Sequence, residues 1–203
     1  MTADAGSGAP AARLPVTAEQ WRAYLTEYSD WYLRVSDLTA EDTVPMAGLT
    51  AQQVSARWLG YQPATEQMIA ATEGRLGVKL PPSLRGFLLT SNGWGPVSEW
   101  TDSLSSCDEI DWFRNTNPGF FPAVRQAADD DDGIFAFFAR CLNIAQGEDA
   151  LLLDTSEVSA DGEYDAYLFA IKYGELEAPC KSFSELIALG RAEIAGLENE
   201  DAE

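Results

Sequence analysis

The segment spanning residues 63–93, PATEQMIAATEGRLGVKLPPSLRGFLLTSNG, constrains this chain more than any other. Pro63, Ala64, Thr65 and Glu66 open a helix whose apolar positions, Met68, Ile69, Thr72 and Leu76, recur at three and four residues. Gly77 stands where a helix ends in left-handed backbone. Pro81 and Pro82 fall in the first turn of a second helix, where a missing N–H costs nothing. Leu84, Phe87 and Leu88 mark its buried face, and Asn92-Gly93 its stop. The spacing predicts two short helices in a tight helix–turn–helix hairpin.

Helices are also predicted before the hairpin. Thr17, with Gln20 three residues on, opens one over residues 17–35. Its stripe of Trp21, Leu25, Tyr28, Tyr32 and Val35 is expected to dock on a core, with an exposed stripe for a partner helix as the lesser alternative. Residues 36–49 read as a connector, and Thr50 can cap a short helix that ends by Gly60. After Gly93 the texture changes to strands and turns. Strands are expected at 97–100, 110–113, 134–144, 150–153 and 166–173, punctuated by glycines. Ser182 and Glu185 open a terminal helix over 183–197, with Leu186, Leu189, Ile194 and Leu197 expected to pack down. The class is α+β: N-terminal helices, a central mostly antiparallel sheet and a C-terminal helix.

Two absences narrow the chemistry. The chain has no histidine, which removes Ser-His-Asp and Cys-His machinery and His-ligated zinc. Its three cysteines, Cys107, Cys141 and Cys180, form no CxxC and are odd in number. They are expected to be buried free thiols in a reducing cytoplasm. An acidic setting would raise a thiol pKa, against a reactive cysteine. No secretory signal or membrane span is legible, and phosphate-binding and nucleophile-elbow glycine motifs are lacking. No catalytic residue, cofactor or metal is expected. The readings are a cytoplasmic protein and no enzyme.

The stretch Ala71 to Trp94 resembles the signature of the SUKH superfamily, the Smi/Knr-type domain. Glu73, Leu76-Gly77, Leu80-Pro81, Phe87-Leu88 and Ser91-Asn92-Gly93 carry the resemblance. Gly147-Glu148-Asp149 before Leu151-Leu152-Leu153-Asp154 is similar to the family's central strand, and Lys181 to Leu186 to its entry into the last helix. The implied layout is a flexible leader at 1–15, an N-terminal helical extension at 16–56, a SUKH-like domain at 57–197 and an acidic tail at 198–203. The resemblance implies a binding module. Bacterial members are largely immunity proteins that neutralise toxin domains, often nucleases or nucleic-acid deaminases, and fungal members act in cell-wall signalling. It brings no catalytic residues, and binding residues vary too much in the family to transfer.

Charge sharpens that implication. Thirteen Lys and Arg stand against 33 Asp and Glu, for a net −20, and residues 121–203 alone carry 19 acids and 5 bases. Such a field repels nucleic acid and anionic membranes, and attracts a basic protein. Asp129, Asp130, Asp131 and Asp132 should form a solvated loop with partner contact as the second reading. A calcium loop fails, because aligning Gly133 puts Ala128 and Ala139 at ligand positions. Phe120 and Phe121, before Pro122, are the expected surface anchors, and one of Trp112 and Phe113 should be core. The expected partner is a basic toxin domain that this chain binds and neutralises. The rival is a regulatory or scaffold module binding a cellular protein. A carboxylate-based enzyme is a distant third, since nothing fixes two acids in an apolar pocket.

Overall fold

Thr17 and Gln20 form the reciprocal cap that their spacing predicts. The Thr17 N–H donates to Gln20 Oε1 at 3.0 Å, and the Gln20 N–H donates to Thr17 Oγ1 at 3.3 Å. They open α1 (Ala18–Val35) in a computed structural model that describes residues 14–35, 49–95, 97, 100–127 and 132–200. Trp21, Leu25, Tyr28 and Tyr32 are each at most 3% exposed, so the stripe is docked on the core. The Val35 side chain lies outside the described residues.

The hairpin forms as its punctuation predicts. Thr50 and Gln53 box the start of α2 (Ala51–Ala56), Thr65 caps α3 (Glu66–Leu76), and Pro82 begins α4 (Pro82–Leu88) behind Pro81. Gly77 closes α3 at φ 75°, and its N–H donates to the Glu73 carbonyl at 2.8 Å. Glu73 holds the turn between the two helices. Its buried carboxylate accepts from the Leu80 N–H (3.1 Å), Lys79 Nζ (2.7 Å) and Arg85 Nη1 (2.9 Å). Burial alone would raise its pKa, but these donors outweigh burial and hold it below the usual carboxylate range. Tyr164 Oη donates to the Lys79 carbonyl at 2.7 Å and ties the same turn to the sheet.

The sign of this linkage is testable. A depressed folded pKa gives stability that is complete above the ordinary carboxylate value and is lost as pH falls through the folded one. Glu73→Gln is expected to cost about 1–2 kcal/mol near neutral pH. The gap between variant and wild type should then close on acidification in urea unfolding. Measuring the difference matters, because protonating surface carboxylates also relieves the self-repulsion of a −20 chain. A gap that persists unchanged to about pH 3 would mean that the charge on Glu73 contributes nothing.

Seven strands follow among the described residues. β1 (Thr101–Leu104), β2 (Asp111–Trp112), β3 (Cys141–Asn143), β4 (Ala145–Gly147), β5 (Ala150–Asp154), β6 (Asp165–Ala170) and β7 (Glu175–Leu176) build two antiparallel sheets. One pairs β1 with β4; the other runs β2-β3-β5-β6-β7, with β5 at its centre. Between β2 and β3 lie α5 (Phe113–Thr116), α6 (Phe120–Ala127) and α7 (Asp132–Ala139), and α8 (Phe183–Glu200) closes the chain.

Side-chain alternation divides the larger sheet into two faces. Leu142, Leu151, Leu153 and Ala166 join the main core with α1, α3, α4 and α8. Cys141, Ala150, Leu152 and Phe169 turn the other way and meet Phe113 and Phe138. With helices on both sides, β5 is buried along its whole length, which is why its sequence is a continuous apolar run. Below the main face, Glu163 reaches the start of α4. Its Oε1 accepts the Ser83 N–H at 2.8 Å and its Oε2 the Ser83 hydroxyl at 2.6 Å, replacing the side-chain cap that Pro81 cannot provide.

Four expectations need correction. Residues 132–139 are helix α7, not the first part of a long strand. Their unbroken apolar run carries no alternation, and short runs of this kind fit either element. Of the strand expected at 97–100, residues 98 and 99 lie outside the described ones and Val97 and Trp100 are not strand; β1 is Thr101–Leu104, where pairing with β4 buries Thr101 and Leu104 and exposes Asp102. β6 stops at Ala170, because the chain turns back to β7 through Gly174 at φ 69°. On α8, Ile187 packs down and Leu189 is 41% exposed, so the buried stripe is Phe183, Leu186 and Ile187. Ile194 and Leu197 have side chains outside the described ones. Phe113 is the core member of the Trp112-Phe113 pair, as expected, although it begins a helix.

All three cysteines are buried. Burial, then the neighbouring Asp154 carboxylate, pushes the Cys141 thiol up to about 12, and burial also raises Cys107. No described helix is long and apolar enough to cross a membrane.

Candidate functional site

A cleft of about 360 Å³ opens between α1 and α8 on one side and the β1–β4 and β6–β7 ends of the sheets on the other. Its floor is apolar: Leu25, Trp94, Leu104, Leu151, Leu168 and Leu186 reach it from five elements and one loop. The two walls differ in charge. On the helical wall, the Arg191 guanidinium lies 5.2, 5.6 and 5.7 Å from the ring centres of Tyr24, Tyr28 and Trp31. Tyr28 Oη donates to the Val97 carbonyl at 3.1 Å, and burial raises the pKa of that phenol.

The opposite wall carries Glu148, Asp149 and Glu177, with one cation, Lys172, against the Tyr173 ring. Backbone geometry puts the first two there. Gly147 adopts φ 147°, and a Cβ at that position would stand 2.9 Å from the Asp102 nitrogen. The close approach lets the Glu148 and Asp149 N–H groups both donate to the Trp100 carbonyl, at 2.9 and 3.1 Å. The turn is thereby clamped to the start of β1. Asp149 is half-buried, and burial, then the nearby Glu148 and Glu177 charges, raise its pKa. Trp100 and Tyr173 line the cleft at 47% and 69% exposure.

An apolar floor between walls that both carry charge suits binding. Among the described residues, the six floor side chains are apolar and the acids stand on one wall. Among the described residues no group of three or more His, Cys, Asp or Glu side chains is placed to hold a metal.

The family model for the SMI1 / KNR4 family (SUKH-1) matches residues 63–189. The chain belongs to this family. No curated protein matches the chain. The matched SUKH-1 segment holds the hairpin, both sheets and the start of α8, while α1 lies before it. Even so, α1 supplies Leu25 and Tyr28 to the cleft of this SUKH-1 protein. SUKH-1 domains are in general non-catalytic binding domains.

The residues singled out as partner contacts lie elsewhere. Phe120 and Phe121 sit in α6, half-buried on the second face of the sheet. The Phe120 ring centre is 5.2 Å from that of Phe113 and 4.8 Å from that of Phe138, and Phe121 stacks 6.0 Å from Phe135. Both rings therefore spend much of their apolar surface on this aromatic cluster. Asp129, Asp130 and Asp131 lie outside the described residues; Asp132 opens α7, with its side chain likewise outside them. Glu148, Asp149, Glu177, Tyr173 and Arg191 were not foreseen as site residues. The one signal in the sequence was the Gly147-Glu148-Asp149 turn before the central strand.

Proposed function

We propose that this SUKH-1 domain is an immunity-type inhibitor that acts in the cytoplasm. It binds a basic toxin domain, one that targets nucleic acid, and occludes or distorts its active site without chemistry of its own. The observation that carries this reading is the cleft, with its apolar floor and acidic wall on a chain of net charge −20. A nuclease or nucleic-acid deaminase must be basic where it grips its substrate, so a blocker gains on-rate and specificity from the opposite field. Asp129 to Asp132 add to that field, and Phe120 and Phe121 offer a second contact on the other side of the sheet.

The test is co-expression with basic toxin domains of these classes, followed by association kinetics with each domain that is neutralised. This protein should rescue growth against one of them, at one-to-one stoichiometry. Its association rate should fall by about tenfold or more between low and high salt. Binding with full toxin activity retained would favour a regulatory or scaffold module instead. An association rate indifferent to salt would remove electrostatic steering.

A further inference from the structure

We propose that the cleft receives an extended segment of the partner that places a lysine or arginine on Asp149 and Glu148, flanked by apolar side chains that enter the floor. The proposal rests on the protein-binding reading and names the recognition element for it. Three observations select this occupant.

Size comes first. About 360 Å³ lies at the small end of the range for ligand sites, and a helix about 10 Å across would not enter it. An extended segment, which projects alternate side chains, fits a narrow opening. The second observation is the polarity of the walls. Two of the domain's own cations line the cleft: Arg191 rests on three aromatic rings of α1, and Lys172 Nζ lies 5.5 Å from the Tyr173 ring centre; among the described residues neither forms an ion pair with Glu148 or Asp149. The aliphatic stem of a lysine suits the leucines of the floor while its ammonium reaches the rim.

The third observation concerns Asp149. Among the described residues its carboxylate accepts no hydrogen bond and joins no ion pair, although the side chain is half-buried beside two other acids. A carboxylate in that position weakens the free domain, and a partner's cation would supply the missing counter-charge. An acid present for folding is held by donors, as Glu73 is; Asp149 is not.

The experiment uses the full chain and a terminally blocked extended hexapeptide with leucine, lysine and leucine at alternate positions, on one face, and serine between them. Binding is followed by calorimetry and by the fluorescence of Trp94 and Trp100, which line the cleft. A leucine–glutamate peptide should not bind, and a serine–lysine peptide should bind about fivefold more weakly or worse. Asp149→Asn should weaken the leucine–lysine peptide by about tenfold while raising Tm, the pairing expected when a residue is kept for binding at the expense of stability. Asp161→Asn makes the same charge change at an exposed site outside the cleft and should alter neither. The proposal is overturned if the leucine–glutamate peptide binds equally well, if no leucine–lysine binding is seen at about millimolar peptide, if Asp149→Asn binds like wild type, or if that variant lowers Tm.

The two readings fail separately. A toxin neutralised equally by wild type and Asp149→Asn would remove the cleft and leave the immunity function. Peptide selectivity with no toxin neutralised would keep the cleft and remove that function.

Discussion

Trp21→Ala is expected to destabilise the protein by about 3–5 kcal/mol, the largest effect of any substitution considered. The Trp21 ring is fully buried where α1, α4 and α8 meet. Its centre lies 5.5 Å from that of Phe87 and 5.4 Å from that of Phe183, and its Nε1–H donates to the Ser83 carbonyl at 2.7 Å. Removing it opens a cavity among three helices and cuts a bond across 62 positions of sequence. A domain of this kind has only about 5–15 kcal/mol in total, so the loss is a fifth of it or more. Trp21→Phe keeps most of the ring and should cost about 1–2 kcal/mol through the lost donor. Urea unfolding of both variants checks the ordering. A Trp21→Ala midpoint close to wild type would show that α1 is an appendage and not part of the core.

Gly86→Ala should cost about 3 kcal/mol, the upper end of what overpacking does. The sign is the informative part. In an exposed helix interior, alanine in place of glycine adds about 1 kcal/mol of stability. Gly86 lies within α4, yet an added Cβ would overlap the Val16 carbonyl oxygen and stand 3.1 Å from Trp21 Cδ1. Val16 cannot move aside easily. The Val16 and Thr17 N–H groups are both held by Gln20 Oε1, and the neighbouring Pro15 carbonyl accepts from Ser184 Oγ. One of two secured backbones must shift. Thermal unfolding reads the result, and a Tm at or above wild type would mean that the entry to α1 is not held against α4.

Both predictions concern a junction that no local pattern announces. Trp21 was legible as part of an apolar stripe, but its place between Phe87 and Phe183 was not. The stripe gives a period, and a period says only that one side of a helix is covered. Glu73 shows the same division. It was recognisable as one position of the hairpin signature, whereas its three donors arrive from residues 79, 80 and 85 only once Gly77 has turned the chain. Residues 132–139 show where pattern reading fails, since an aromatic run without alternation is settled by the faces available to it.

The cleft was the least legible feature. Its walls come from residues as far apart as Leu25 and Arg191, and its acids are unremarkable among 33. What distinguishes Asp149 is half-burial beside two like charges, a property of position and not of residue type. Phe120 and Phe121 illustrate the converse: two adjacent aromatics are legible in the sequence, but their place in a helix, half-buried on the second face of the sheet, is not.

By itself, the sequence determined helices α1 to α4 and the start of α8, the family through its hairpin, the central strand, the buried thiols and the acidic field. These depend on short-range backbone chemistry, on residues a few positions apart or on simple counts. Tertiary structure alone decided which apolar faces meet, which carboxylates are held by donors and which are not. Those outcomes depend on distance, burial and neighbouring charge, and such quantities exist only once remote parts of the chain are brought together.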